Sequence, residues 1–189
     1  MRVISGKQKG ISLKSVPGHS TRPTTDKVKE AIFNMVGPYF NGGVMLDLYA
    51  GSGAMGIEAL SRGMSKAVFV DKDRKAIETI YANLKTVTCL EKAEVYKNEA
   101  KRALNAIRKK GRQFDLIFLD PPYAKQTLAD ELASIDEYNV LLQGGYIVAE
   151  HSSKVVLDNR YQTFVKTKEE RYGDTSVSIF KSLASEERI

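Results

Sequence analysis

The decapeptide Asp47-Leu-Tyr-Ala-Gly-Ser-Gly-Ala-Met-Gly56 follows a short apolar stretch and opens a segment with helical spacing. Gly51, Gly53 and Gly56 match the pattern G-x-G-x-x-G, whose glycines permit a tight turn and a close approach of the backbone to a ligand. A strand before such a loop and a helix after it are typical of nucleotide-binding α/β folds. The loop alone also fits a nicotinamide or flavin dinucleotide, whose pyrophosphate would lie at the helix N-terminus.

Outward from this loop, apolar runs typical of strands alternate with amphipathic stretches typical of helices. Such alternation predicts a parallel sheet with helices on both faces, and two final strands without a helix between them predict an antiparallel hairpin. We therefore expect an α/β, Rossmann-like fold with a mostly parallel seven-stranded sheet, an antiparallel C-terminal hairpin, and a small N-terminal β-hairpin and helix. The predicted strands are residues 44–48, 67–70, 93–96, 114–119, 146–150, 162–167 and 175–181, and a helix is predicted over 127–142.

Acidic and amide side chains follow the first three predicted strands, at Asp47, Asp71 and Asn98-Glu99. Ligands of such sheets bind at the carboxyl ends of the strands, so these side chains are expected at one edge. A carboxylate at Asp47 suits a ligand amino group, such as that of the methionine part of S-adenosylmethionine, better than a phosphate. Asp71 is placed to accept hydrogen bonds from ribose hydroxyls, and Asn98 or Glu99 from an adenine amino group. Helix capping is the alternative for Asp71, Asn98 and Glu99.

The tetrapeptide Asp120-Pro-Pro-Tyr123 ends the fourth predicted strand. Two successive prolines fix the backbone and remove two N–H donors, so carbonyls and the Asp120 carboxylate can accept both hydrogens of an amino group. Tyr123 offers a flat face for a base taken out of its stack. Because an exocyclic amine is a poor nucleophile, methyl transfer to it depends on positioning. Asp120, Pro121, Pro122 and Tyr123 are therefore predicted to be catalytic, with a sharp structural turn as the alternative.

The 189 residues carry a formal net charge of +6, of which +5 lies in the first 30 residues. A basic segment on a nearly neutral body is typical of a polyanion-binding arm, although a solvated terminus can have the same composition. One cysteine excludes a disulfide framework and favours a reducing compartment. No apolar run predicts a membrane span or signal peptide, and no Cys/His cluster indicates a metal. We expect one cytoplasmic domain over residues 1–189, with 1–25 as a basic extension.

Five segments spread over nearly the whole chain resemble the RsmD family: residues 2–7, 22–26, 46–56, 58–63 and 114–123. These are bacterial class I methyltransferases that act on guanine N2 of 16S ribosomal RNA. The resemblance implies S-adenosylmethionine as cofactor and a guanine of the small ribosomal subunit as acceptor. Cofactor contacts are then expected from Asp47, Tyr49, Ala50, Gly51, Gly53, Asp71, Lys72, Asn98 and Glu99. RNA contacts are expected from the basic extension, at Arg2, Lys7, Lys9, Arg22 and Thr24.

Two positions depart from the family pattern, since Glu99 stands where relatives often have Asp and Tyr49 where Phe is usual. Three other functions compete with this interpretation. A nicotinamide-dependent oxidoreductase explains the glycines and Asp71 but gives Asp120-to-Tyr123 no role. A non-catalytic RNA-binding assembly factor would keep the fold without methyl transfer. A DNA amino-methyltransferase often carries a separate target-recognition domain, for which 189 residues leave little room.

Overall fold

The computed structural model describes residues 1–18, 25–122 and 127–187. The chain divides into two compact units, Met1–Ala100 and Lys101–Ile189, and the prediction of a single domain stays a prediction beside this division. Within the described ranges, no helix is long and apolar enough to cross a membrane. In the same residues, no three His, Cys, Asp or Glu side chains are grouped so that they could hold a metal ion.

The first unit alternates helices with strands after its N-terminal segment. Its elements are α1 (Asp26–Val36), β1 (Val44–Asp47), α2 (Ala54–Ser61), β2 (Lys66–Asp71), α3 (Arg74–Thr86) and β3 (Ala93–Lys97). Helix α1 begins after Thr25, whose Oγ1 accepts a hydrogen bond from the Val28 N–H at 3.3 Å. Helix α3 begins after Asp73, whose carboxylate accepts from the Lys75 N–H at 2.7 Å. Both are N-caps of the ordinary kind, which satisfy N–H groups that the helix leaves unpaired.

The second unit contains most of helix α4 and four strands. Its elements are α4 (Ala100–Lys109), β4 (Phe114–Leu119), α5 (Leu128–Glu137), β5 (Leu141–Ser152), β6 (Phe164–Tyr172) and β7 (Thr175–Ser182). Aromatic rings form part of its core: Phe164 stacks on Tyr161 with ring centroids 4.6 Å apart and meets Phe180 edge to face at 5.6 Å. Edge-to-face and offset pairs of this kind stabilise a core beyond the area that they bury.

The seven strands form one sheet in the order β3-β2-β1-β4-β5-β7-β6. Strand β2 pairs in parallel with β1 and β3, and β4 pairs in parallel with β5. Strand β7 pairs antiparallel with both β5 and β6. The predicted fold class, a mostly parallel seven-stranded sheet with an antiparallel C-terminal hairpin, is confirmed.

Three predicted elements have wrong boundaries. The helix predicted over residues 127–142 ends at Glu137, because Asn139 adopts a positive φ of 50° and the Val140 N–H donates back to the Ile135 carbonyl. The strand predicted over 146–150 is β5, which begins at Leu141, opposite Phe114 of β4, and runs to Ser152. The strand predicted over 162–167 instead covers Phe164–Tyr172, since the N–H groups of residues 162 and 163 are bound by the Asp136 carboxylate.

Residues 1–14, called the N-terminal arm below, fold back on themselves as the predicted hairpin. Arg2 and Ser12 form an isolated antiparallel bridge. The Val3 N–H donates to the Ile11 carbonyl at 2.9 Å, and the Leu13 N–H donates to the Met1 carbonyl at 2.9 Å. The side chains of Val3 and Leu13 are buried. The arm is therefore packed onto the first unit along its length.

Candidate functional site

The glycine loop, residues 50–53, connects β1 to α2. Gly51 and Gly53 have positive φ angles of 54° and 80°, a conformation that glycine adopts without strain. The Gly53 N–H donates to the Ala50 carbonyl at 2.7 Å, which closes the turn. A side chain on Gly51 would meet no described heavy atom within 4 Å, so space beside the loop backbone is open to a ligand. Gly56 has a packing role instead, since a side chain there would collide with the ring of Phe69.

Asp47 ends β1 with a buried carboxyl group, 1% exposed. The backbone N–H groups of Tyr49 and Gly56 donate to this carboxyl, while its Oδ1 has no hydrogen-bond partner among the described residues. Burial, and after it the charge of Asp71, raises the pKa of Asp47 to about 7. A buried polar atom without a partner costs free energy. An amino group brought by a ligand would remove this cost.

Asp71 ends β2 and holds the glycine loop. Its Oδ2 accepts from the Gly51 N–H and its Oδ1 from the Asp73 N–H, both at 2.9 Å. A carboxylate offers about four acceptor positions, so these two bonds leave capacity for ligand hydroxyls. The N-cap of α3 is Asp73, and capping therefore does not account for Asp71.

Asn98 and Glu99 connect β3 to α4. The Asn98 N–H donates to the Asp71 carbonyl at 3.0 Å, and its side-chain Oδ1 accepts from the Glu99 N–H at 3.0 Å. The second bond reaches only the next residue, and α4 begins at Ala100, so this bond is not an N-cap bond of the helix. Glu99 and Lys72 are exposed, and Tyr49 is half-buried beside the loop. These positions all follow the carboxyl ends of neighbouring parallel strands of the first unit.

Asp120, Pro121 and Pro122 directly follow β4 in the second unit, and Tyr123 lies outside the described residues. Asp120 is half-buried, Pro121 is buried and Pro122 is exposed. The parallel pairing of β4 with β5 runs to Leu119, after which neither proline can donate an N–H to a strand ladder. The prolines thus end β4 next to Asp120.

The predicted RNA-binding residues of the N-terminal arm are exposed. Lys7 and Lys9 lie in its turn, and Arg2 pairs with Asp26 at 2.9 Å while its side chain stays 67% exposed. Arg22 and Thr24 lie outside the described residues. A set of exposed cations on a packed arm offers fixed positions to a polyanion.

Glu58 of α2 fastens the N-terminal arm to the first unit. It is fully buried, and its two carboxylate oxygens accept from the backbone N–H groups of Ile4 at 2.9 Å and Ser5 at 3.0 Å. Its charge is balanced by Arg62 at 2.8 Å and Lys29 at 3.4 Å. Burial lowers the pKa of Lys29 despite the Glu58 carboxylate. Lys29 lies in α1 and its side chain is only 2% exposed, so it is not available to bind a phosphate.

Comparison with known proteins gives consistent relatives. Residues 1–181 match the model of the family described as conserved hypothetical protein 95. The chain is 58% identical over 181 residues to "Putative rRNA methyltransferase YlbH" of Bacillus subtilis, covering 96% of this chain and 98% of that one. It is 33% identical over 172 residues to "Ribosomal RNA small subunit methyltransferase D" of Haemophilus influenzae, covering 89% and 88%. The chain belongs to the RsmD family.

A solved structure, "Putative methyltransferase yhhF from Escherichia coli", superposes on this chain with a TM-score of 0.82. The two are 29% identical, and the match covers 98% of this chain and 99% of that one. The fold is therefore shared over nearly the whole length of this chain. The resemblance to RsmD methyltransferases that the sequence motifs indicate is confirmed.

Sequence reasoning missed the residues that fasten the arm in this RsmD-family chain. Glu58 is fully buried in α2, and Asn83 is fully buried on the face of α3 that also carries Ile80 and Leu84. A polar residue at an apolar position of a helical repeat is the available signal, because a buried polar group needs partners. The repeat does not say which partners they are, since these lie 31 to 69 residues away.

Proposed function

We propose that this chain transfers a methyl group from S-adenosylmethionine to the exocyclic N2 amino group of a guanine in 16S ribosomal RNA. The observation that carries the proposal is the buried Asp47 carboxyl beside the glycine loop, with one oxygen unpartnered among the described residues. That oxygen suits the amino group of the methionine part, whereas the phosphates of a dinucleotide would be repelled by an ionised Asp47. Relatives named as ribosomal RNA methyltransferases support the class of acceptor.

The first unit would hold the cofactor. Asp47 binds the amino group, and the backbone from Tyr49 through the glycine loop approaches the methionine part. Asp71 accepts hydrogen bonds from the ribose hydroxyls, because its two bonds to backbone N–H groups leave acceptor positions on its carboxylate. Lys72, Asn98 and Glu99 border the adenosine end, where Glu99 can turn its exposed carboxylate to the adenine amino group. When bound, the cofactor would supply an activated methyl group, because the C–S bond of its sulfonium breaks to leave a neutral thioether.

The strand-end tetrapeptide would hold the acceptor base. The Asp120 carboxylate and the Pro121 carbonyl accept the two hydrogens of the amino group, which turns the nitrogen lone pair toward the methyl group. Pro121 and Pro122 keep this arrangement rigid, and Tyr123 stacks on the unstacked base. The proton that the amino group loses as the new N–C bond forms passes to Asp120. Positioning supplies most of the rate enhancement in such a transfer.

The N-terminal arm would bind ribosomal RNA, with the small ribosomal subunit as the substrate particle and the cytoplasm as its place of action. Arg2, Lys7 and Lys9 contact phosphates from fixed positions, and Arg22 and Thr24 extend the contact. Phosphate contacts fix the register of a protein on its nucleic acid, while base contacts specify the nucleotide.

The decisive experiment is methyl transfer from labelled S-adenosylmethionine to small ribosomal subunits isolated from cells that lack this protein. We expect label in N2-methylguanosine, identified by mass spectrometry of the nucleosides. Label in another nucleoside would correct the acceptor base. Absence of label with the cofactor still bound would overturn the acceptor, and DNA and protein-free RNA would be tried next.

The base site is tested with Asp120→Asn, which keeps the size of the side chain. We expect the turnover number to fall about 100-fold or more, with the affinity for S-adenosylhomocysteine within about twofold of the wild type. Asp130→Asn, on the exposed face of α5, is the matched control and should leave both unchanged. Wild-type turnover in Asp120→Asn would remove the tetrapeptide from the active site.

A further inference from the structure

Asn83 binds both the N-terminal arm and the glycine loop. The proposed function assigns the arm to RNA and the loop to the cofactor. The Oδ1 of Asn83 accepts from the Lys14 N–H at 2.8 Å, and its Nδ2 donates to the Lys14 carbonyl at 3.0 Å. The same Nδ2 donates to the Ser52 carbonyl at 2.8 Å. The side chain is fully buried, so water does not compete for these bonds. One carboxamide thus binds the N-terminal arm and the glycine loop at once.

The contact to the arm has the form of a strand pair. The Asn83 carboxamide bonds both the N–H and the carbonyl of Lys14, as a neighbouring backbone would. The adjacent residue, Leu13, donates its N–H to the Met1 carbonyl at 2.9 Å, which ties the two ends of the arm together. Asn83 therefore holds the C-terminal end of the arm against the first unit.

The contact to the glycine loop lies at its centre. Ser52 stands between Gly51 and Gly53, whose positive φ angles form the turn. The Gly51 N–H is bound by Asp71 at 2.9 Å, so the loop is held by Asp71 through Gly51 and by Asn83 through Ser52. The Ser52 hydroxyl also donates to the Met1 sulfur at 3.8 Å, a second, weaker contact from loop to arm.

We propose that Asn83 is a positioning residue that couples cofactor binding to RNA binding, so that each ligand raises the affinity for the other. The inference rests on the proposed function, with the cofactor at the glycine loop and RNA on the arm. A cofactor that restrains the loop also restrains the Ser52 carbonyl, and through Asn83 it restrains Lys14. RNA then binds an arm whose remaining motion the cofactor has already reduced, which gives positive coupling without a change of shape.

Thermodynamic linkage makes the coupling measurable from either side. If S-adenosylhomocysteine raises the affinity for RNA by a factor, RNA must raise the affinity for S-adenosylhomocysteine by the same factor. We expect a factor of about fivefold or more in the wild type. In Asn83→Ala the three hydrogen bonds are lost, and we expect the factor to fall to about one.

The experiment measures the dissociation constant of S-adenosylhomocysteine by calorimetry, with and without saturating small ribosomal subunits that lack the modification. Wild type, Asn83→Ala and Ser61→Ala are compared. Ser61 fastens the arm elsewhere, since its hydroxyl binds the Ser5 carbonyl and accepts from the Gln8 N–H, and none of its described bonds reaches the glycine loop. Ser61→Ala should therefore weaken RNA binding but keep the coupling factor.

A purely structural role for Asn83 would lower both affinities and leave their coupling intact, which would overturn the inference. A coupling factor of one in the wild type would overturn it as well, while the proposed function would stand. Failure of S-adenosylhomocysteine to bind the wild type would instead overturn the proposed function itself.

Hydrogen exchange on the wild type tests the coupling even if Asn83→Ala does not fold. S-adenosylhomocysteine alone should slow exchange of the Lys14 amide, which Asn83 binds directly, and of the Val3 and Leu13 amides within the arm. Unchanged exchange at all three amides, with S-adenosylhomocysteine bound, would overturn the proposal.

Discussion

At the scale of single residues, the Asp47 carboxyl makes stability depend on pH. Its pKa is raised to about 7 in the folded chain by burial and by Asp71, against about 3.9 in an unfolded chain. Between these values the folded state holds a proton that the unfolded state has lost, so stability falls as the pH rises. We expect Asp47 to lower the free energy of unfolding of the cofactor-free protein by about 2 kcal/mol between pH 5 and pH 8, measured by urea titration.

Asp47→Asn keeps the shape of the side chain and removes its ionisation. The loss of stability between pH 5 and pH 8 should be smaller in this variant than in the wild type. Its affinity for S-adenosylhomocysteine should fall about 10- to 100-fold, the value of one hydrogen bond to a charged group. Equal pH dependence in the two proteins would show that Asp47 ionises normally in the fold.

Glu58 is the second residue whose removal has a defined consequence. Glu58→Gln leaves the buried cations Lys29 and Arg62 without their counter-charge. We expect the free energy of unfolding to fall by about 3–5 kcal/mol. Glu78→Gln is the matched control, because its pair with Arg74 has the same 2.8 Å distance but is 81% and 61% exposed, and its loss should cost less than about 1 kcal/mol. A small effect at both positions would contradict this account of the cluster.

Local sequence predicts the positions of some residues in the fold and not of others. Asp47 and Asp71 could be predicted because each ends an apolar strand, and the parallel sheet brings such ends to one edge. Lys29 could not be recognised as buried, since its partner Glu58 lies 29 positions further along the chain. Asn83 gave no local signal of its contact to Lys14, which spans 69 positions. Pairings at such separations are properties of the packed molecule.

At the scale of elements, the N-terminal arm should set the salt dependence of RNA binding. The double change Lys7→Ala with Lys9→Ala removes two exposed cations and disturbs no described side-chain hydrogen bond. Each phosphate contact contributes about 0.7 to 0.9 to the slope of log affinity against log salt, so the slope should fall by about 1 to 2. Filter binding to small subunits over a range of salt measures it. Lys66→Ala, exposed at the start of β2, is the control, and an equal decrease there would mean that the arm has no special role.

The boundaries of an element could be predicted where its periodic apolar pattern stops at a turn residue. They were predicted wrongly where the apolar or charged pattern runs on past the true end of the element. The leucines at 141 and 142 continue the apolar pattern of α5, yet Asn139 reverses the chain and they enter β5. The charged run of residues 166–171 argues against a central strand, but it suits β6, which lies at the edge of the sheet. Charges on an edge strand discourage pairing with a second molecule.

At the scale of the whole molecule, ligand identity should appear as a change in melting temperature. S-adenosylhomocysteine at about 100 times its dissociation constant should stabilise the protein by about 2.7 kcal/mol. For a chain of this size that is a rise of roughly 5–10 °C. NADH at the same concentration should raise the melting temperature by less than about 1 °C, well below the rise with S-adenosylhomocysteine. The reverse result, stabilisation by NADH alone, would restore the oxidoreductase interpretation of the glycine loop.

Fastening of the arm by residues far along the chain has a consequence during synthesis. Lys14 leaves the ribosome 69 residues before Asn83, and Ile4 leaves 54 residues before Glu58. The arm therefore reaches its place only after residues far along the chain have been made, and such long-range closures form slowly. A nascent chain that has not yet reached Glu58 carries the cations of the arm on an unfastened strand. Synthesis thus delays the moment at which the cations of the arm are held in fixed positions.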